Sequence, residues 1–160
     1  MKIRQYQPAD KKQVISLMSE FGTYLEDIDP LSRTNFAPNG PVYFTNKLLR
    51  EVKKNNGAIF VAEENGKLIG FIGGYLVKQS KQELMEAKKT TPGTIAEFFV
   101  TQDARSQGIG AKLLDVMEKY LKKQGCKLIR FDMFAPNKIA RNFYAKHGYQ
   151  DRAVIISKEI

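Results

Sequence analysis

Phe98-Phe99-Val100-Thr101-Gln102-Asp103-Ala104-Arg105-Ser106-Gln107-Gly108-Ile109-Gly110 is the stretch that organises the reading of this chain. An apolar, strand-like run ending in Val100 passes through a short polar turn into a glycine-containing helix start. The first turn of a helix carries four backbone N–H groups without an intrahelical partner, and the helix dipole adds positive potential there. Glycines at 108 and 110 remove side chains that would hold a ligand away from those donors. The combination suits an anion, most naturally a phosphate or pyrophosphate. A phosphate loop of the Walker type requires Gly-Lys-Ser/Thr, whereas Gly110 is followed by Ala111-Lys112-Leu113. A dinucleotide fingerprint requires a third small residue where Leu113 stands. Taken alone, two glycines also fit a tight strand-to-helix turn that binds nothing.

Outward from this stretch the pattern is mixed. Downstream, Ile109, Leu113, Val116, Met117, Tyr120 and Leu121 form one apolar stripe of a long helix that Gly125 ends. Cys126–Phe134 reads as a strand, Pro136-Asn137 opens a last helix to His147, and Val154–Ser157 reads as a final strand. Upstream, Thr94–Thr101 is a central strand. Ala58–Glu63 and Lys67–Val77 flank Asn65-Gly66, a strong hairpin signal. Gly73-Gly74 within the second strand suggests a bulge or the close approach of another backbone. Lys78–Pro92 is polar, with a helical turn or two around Glu83–Ala87. Lys2–Tyr6 alternates as a short strand. A helix follows Pro8, carries Val14, Leu17, Met18 and Phe21, and ends at Gly22; a second covers Tyr43–Lys54. Thr23–Pro41 between them is a long loop rich in turn signals. Interleaved strands and helices give a single α/β (α+β) domain over residues 1–160, with a mixed sheet flanked by helices.

Composition narrows the classes. The 160 residues are 42% hydrophobic and 27% charged, which is ordinary globular composition. One Cys and one His exclude an internal disulfide and leave no basis for a Cys/His metal site or a Ser-His-Asp apparatus. No signal peptide or membrane-length apolar run is present, so the expectation is a cytoplasmic protein without membrane contact. The net charge of +9 fits either plain solubility or a polyanionic partner, but Lys88-Lys89 and Lys122-Lys123 are short runs without an aromatic–basic RNA signature.

Arg105-Ser106-Gln107-Gly108-Ile109-Gly110 resembles the Arg/Gln-x-x-Gly-x-Gly/Ala motif of the GNAT N-acetyltransferase superfamily. Asn137-Lys-Ile-Ala140-Arg-Asn-Phe143-Tyr144-Ala-Lys-His-Gly148-Tyr149 resembles that superfamily's Asn-x-x-Ala-x-x-Phe-Tyr-x-x-x-Gly-Phe segment. The resemblance implies a mostly antiparallel sheet, splayed at the strands that receive the coenzyme, and acetyl-coenzyme A as cosubstrate with no metal. It implies that the amides of Arg105, Ser106, Gln107, Gly108, Ile109, Gly110 and Ala111 hold the pyrophosphate. Arg105 orders the loop, and main-chain groups of Phe98, Phe99 and Val100 receive the pantetheine arm. A backbone N–H near Phe98 polarises the thioester carbonyl. Asn137 caps the last helix, and its counterpart in the family also contacts the coenzyme.

By the same resemblance Tyr144 is the general acid that protonates the departing thiolate, beside the alternative of an aromatic packed in the core. Glu97 is the candidate base, although several family members place the acid one residue earlier, where this chain has Ala96. Strict alternation would turn Glu97 to the opposite face unless a bulge intervenes. Asp132 or a water relay is the alternative base. The acceptor, a small-molecule or peptide amine, is expected at the Thr23–Pro41 loop, with Tyr24, Glu26, Asp27 and Asp29 as its contacts. A homodimer fits the family, and no nucleic-acid partner is expected. A basic RNA- or polyanion-binding module and a GNAT-like domain that holds the coenzyme without catalysis are the competing readings.

Overall fold

The computed structural model describes residues 1–158. Its sheet has five strands in sequence order: β1 Lys2–Gln5, β2 Ala58–Glu64, β3 Lys67–Leu76, β4 Pro92–Val100 and β5 Leu128–Arg130. The first four pair antiparallel, and β5 runs parallel to β4. Helices α1 (Lys11–Ile28) and α2 (Gly40–Lys54) cover one face, and α4 (Ile109–Lys123) covers the other. The short α3 spans Lys81–Glu86, and α5 (Lys138–Lys146) follows β5. Period-two alternation sorts the strand residues. Val61, Phe71 and Phe99 pack with Val14, Leu17, Met18 and Leu48, while Ala62, Ile72 and Ile95 pack with Leu113, Leu114, Met117 and Leu121.

Two glycines let layers approach. A Cβ on Gly73 would sit 2.7 Å from Leu48, so the bare strand admits α2 against the sheet. Gly22 is a packing residue rather than a helix stop. A Cβ there would lie 2.8 Å from the ring of Phe36, which folds back onto α1 and also contacts the Phe44 ring at 5.2 Å. Helix α1 therefore runs through Gly22 to Ile28, and the expected loop shortens to residues 29–39.

Two strand expectations are corrected. Val154–Ser157 joins no ladder: it finds no partner edge, and Val154, Ile155 and Ile156 stand exposed. β5 stops at Arg130 because Phe131 turns away to pack on Tyr144 and Tyr149, with ring centroids 4.5 and 5.3 Å away. Tyr144 also meets Phe98 of β4 at 6.3 Å, so aromatics of α5 wedge between the two strands. β4 and β5 pair only from Pro92/Leu128 to Thr94/Arg130 and then part, which is the expected splay.

At the other end of the sheet, Arg4 ties β1 to the start of α1. Its guanidinium grips both oxygens of buried Asp10 at 2.7 and 2.8 Å, and its Nε donates to Glu63 at 2.6 Å. The Arg4 hydrogen bonds hold the Asp10 carboxyl below the usual carboxylate range. A carboxylate with a lowered folded-state pKa contributes stability above the unfolded pKa, and that stability is lost as the pH falls through the folded value. Asp10→Ala is expected to lower unfolding free energy by about 3 kcal/mol at pH 7 in urea denaturation, with the deficit shrinking below about pH 4. An unchanged midpoint would remove this cluster from the account of stability.

Candidate active site

The splay leaves the β5-facing edge of β4 beyond Thr94 without a ladder partner. That edge leads through a 3₁₀ turn (Gln102–Ala104) to the N-terminus of α4. Ser106 (φ 62°) and Gly108 (φ 74°) both adopt left-handed backbone, which turns the chain sharply into the helix. No capping side chain takes up the first amides of α4. Among the described residues, no loop carbonyl accepts from Ile109, Gly110 or Ala111 either. A Cβ on Gly110 would meet Phe143 at 3.5 Å, an ordinary contact, so the bare position is not needed for packing.

The Arg105 side chain turns inward. Its Nε donates to the Val100 carbonyl at 3.1 Å, and its guanidinium lies 4.6 Å from the centre of the Tyr24 ring. The Tyr24 hydroxyl donates to Asn137 Oδ1 at 3.0 Å, and the same oxygen caps α5 by accepting from the Ala140 amide. Tyr24 thus joins the C-terminal part of α1 to the start of α5. Of the basic residues flanking the two motifs, Arg141 is engaged with Asp151.

Glu97 owes its direction to the strand register. β3 and β4 pair Phe71 with Phe99, Ile72 with Phe98 and Gly73 with Glu97, and then Gly74 with Ile95. One step on β3 answers two on β4, so Ala96 is an extra, bulged residue. Ile95 therefore joins the α4-side core, while Ala96 and Phe99 pack on the side of α1 and α2. Glu97 lines a cavity of about 240 Å³ with Ala96, Phe44 and Lys47 of α2, Tyr75 of β3, and Phe131 and Asp132 after β5. Burial outweighs the attraction of Lys47 and pushes the Glu97 carboxyl up to about 7. A carboxyl at that value can take and return a proton near neutrality.

Tyr144 stands in the aromatic wedge with Phe98, Phe131, Phe143 and Tyr149 around it. Its hydroxyl has no hydrogen-bond partner among the described residues, and burial raises its pKa, which keeps the phenol protonated at neutral pH. The acidic residues expected to meet the acceptor lie apart from the Glu97 cavity. Asp29 accepts from the amides of Leu31, Arg33 and Thr34, and Glu26 accepts from the amide of Phe36; both carboxylates brace their own loop. Asp27 is exposed. The cavity's α2 wall, Phe44 and Lys47, was outside the expected set. Its only sequence trace is the spacing of Phe44, Lys47 and Leu48 on one helix face beside Gly73.

Parted strands, an uncapped helix start and a carboxyl raised toward neutrality in a small cavity are the chemical features of this α/β domain. The chain belongs to the acetyltransferase (GNAT) family, whose model matches residues 24–149. It is 31% identical over 107 residues to an uncharacterised N-acetyltransferase of Methanocaldococcus jannaschii, covering 65% of this chain but only 44% of that relative's length. The uncharacterised N-acetyltransferase YhfO of Bacillus subtilis is 26% identical over 151 residues, 94% of this chain and 91% of YhfO. In fold, a variant of the BH1408 protein from Bacillus halodurans superposes with a TM-score of 0.80 at 20% identity, covering 100% and 99% of the two chains. The AAC(6')-Iy structure in complex with a bisubstrate analogue of coenzyme A gives 0.71 at 16% identity, covering 99% and 98%. Among the described residues no helix is long and apolar enough to cross a membrane.

Proposed function

We propose that this protein transfers an acetyl group from acetyl-coenzyme A to a primary amine by direct attack within a ternary complex. The observation that carries the reading is the free edge of β4 between the cavity and the helix start. The unpaired β4 edge runs from the Glu97 bulge past Tyr144 to the uncapped start of α4. Family membership and the coenzyme A analogue bound to the similarly folded AAC(6')-Iy support it.

In this reading the amides of residues 106–111 hold the pyrophosphate, with Gly108 and Gly110 admitting it, while the Arg105 amide stays engaged with the Gln102 carbonyl and closes the 3₁₀ turn. Main-chain groups of Phe98, Phe99 and Val100 pair with the pantetheine as an added strand would. Arg105 and Tyr24 hold the loop and Asn137 in place from behind. A backbone N–H near Phe98 donates to the thioester oxygen, where negative charge develops. Glu97 takes the proton from the acceptor ammonium, the freed nitrogen bonds the acetyl carbon, and the carbon–sulfur bond breaks. Tyr144 gives its phenolic proton to the departing sulfur, and the second proton of the now acidic amide nitrogen returns to the phenolate, while Glu97 releases its own to solvent. Acceptor binding falls to the Glu97 cavity, with Asp132 beside the incoming amine.

Acetyl-coenzyme A at about 100 times its Kd is expected to stabilise the fold by about 2.7 kcal/mol, a rise of about 5–10 °C in Tm for a chain of this size. Thiol release in the presence of amines should accompany it. No thermal shift at millimolar coenzyme would overturn the reading. A shift without turnover on a broad amine panel would favour a domain that holds the coenzyme and does not catalyse.

A further inference from the structure

The cavity beside the β4 bulge is lined by charges of both signs. Glu97 on β4 supplies a carboxyl on the inner side, while at the exposed rim Asp132 beyond β5 supplies a second carboxyl and Lys47 on α2 an ammonium. No hydrogen bond or ion pair joins any of the three to another group among the described residues. Elsewhere the chain does pair its charges across elements, as Arg4 does with Asp10 and Arg130 with Glu83. Glu97 is mostly withdrawn from water without a partner among the described residues, and a ligand seated over it would shut Asp132 and Lys47 from water as well, so a fitting ligand supplies partners to all three. An amine carrying only positive charge would satisfy the two carboxyls and be repelled by Lys47. A molecule bearing an ammonium and an anionic group satisfies all three. The volume, about 240 Å³, lies below the ~300–1,000 Å³ of pockets that enclose drug-sized ligands, so a small acceptor or the end of a larger one fits. Phe44, Tyr75 and Phe131 offer apolar contact to the part between the charges and cation–π contact to the ammonium.

We propose that the acceptor is a small amino-carboxylate, its ammonium directed to Glu97 and Asp132 and its carboxylate to Lys47. The proposal rests on the acetyl-transfer reading and makes Lys47 the residue that selects the acceptor. It distinguishes this cavity from one built for polyamines or other polycations, which the unpaired lysine disfavours.

The test compares a panel of amino acids, each paired with the amine that lacks its carboxylate, such as lysine with cadaverine and phenylalanine with phenethylamine. Thiol release gives kcat/KM, and titration calorimetry of each compound into the protein saturated with coenzyme A gives binding without turnover. At least one amino acid should exceed its partner amine by about tenfold in both readouts, the value of one charge-assisted contact. Lys47→Met should collapse that ratio toward one through KM, and Lys47→Arg should preserve it. A lysine that merely shaped α2 would instead change both members of a pair alike. Preference for the decarboxylated partners, an unchanged ratio in Lys47→Met, or no binding of any amino acid to the coenzyme A complex would overturn the proposal while leaving acetyl transfer intact. Failure of coenzyme A itself to bind would overturn the underlying reading instead.

Discussion

Glu97→Gln is expected to lower kcat/KM by about 10²–10³-fold at pH 7.5, the contribution of a positioned general base. The wild-type profile should carry its signature. With Glu97 near 7, kcat/KM falls tenfold per pH unit below that value, as the carboxyl becomes protonated and can no longer take a proton. It stays level until the acceptor ammonium itself titrates, near 10 for an ordinary alkylamine. Glu97→Gln should lose the acid limb and keep the alkaline one. The same substitution should raise stability. A carboxyl whose folded-state value lies above its unfolded value binds an extra proton in the native state between the two. Its effect on stability is therefore absent at low pH and becomes a growing cost as the pH rises from about 4.5 through about 7. Above pH 7 the variant should gain up to about 3 kcal/mol in urea denaturation, and below pH 4 little. Lost activity with gained stability separates a base held in an unfavourable site from a carboxylate that supports the fold. A wild-type pH profile retained in Glu97→Gln would move the base to Asp132 or a water relay.

Tyr144→Phe is expected to reduce kcat by about 10²-fold, toward the lower end for general acid catalysis because a thiolate is already a fair leaving group. The phenylalanine ring keeps the contacts with Phe131, Phe143 and Tyr149, and the lost hydroxyl strands no partner among the described residues. The coenzyme-induced rise in Tm should therefore persist in the variant. Turnover equal to wild type would return Tyr144 to a packing role. A loss of coenzyme binding as large as the loss of turnover would place it in the binding of the arm instead.

The glycine turn into α4 was legible in the sequence because its determinants are local. Gly108 takes a positive φ, Asn137 caps the helix it precedes, and α4 carries its stripe at helical spacing. The Asn65-Gly66 hairpin and the mostly antiparallel sheet follow from neighbours in the chain in the same way. Local signals misled where a distant residue decided. Gly22 reads as a stop until Phe36 closes on it, and the apolar run Val154–Ser157 reads as a strand although no edge receives it. The charges of the 23–41 segment read as acceptor contacts, whereas the carboxylates of Glu26 and Asp29 accept from backbone amides ten and five residues away.

By itself, then, the sequence determined the glycine-bearing helix start, the order of strands and helices, and the presence of Glu97 on the strand before the first motif and of Tyr144 within the second. Only the tertiary structure decided which way Glu97 faces. Its direction depends on one extra residue, Ala96, in a register shared by two strands, and a register is a property of the pair. The same holds for the cavity that Glu97 enters. Lys47, Tyr75 and Asp132 come from three separate elements, brought to one side of the sheet because α2 seats on Gly73 and an aromatic wedge holds β4 and β5 apart.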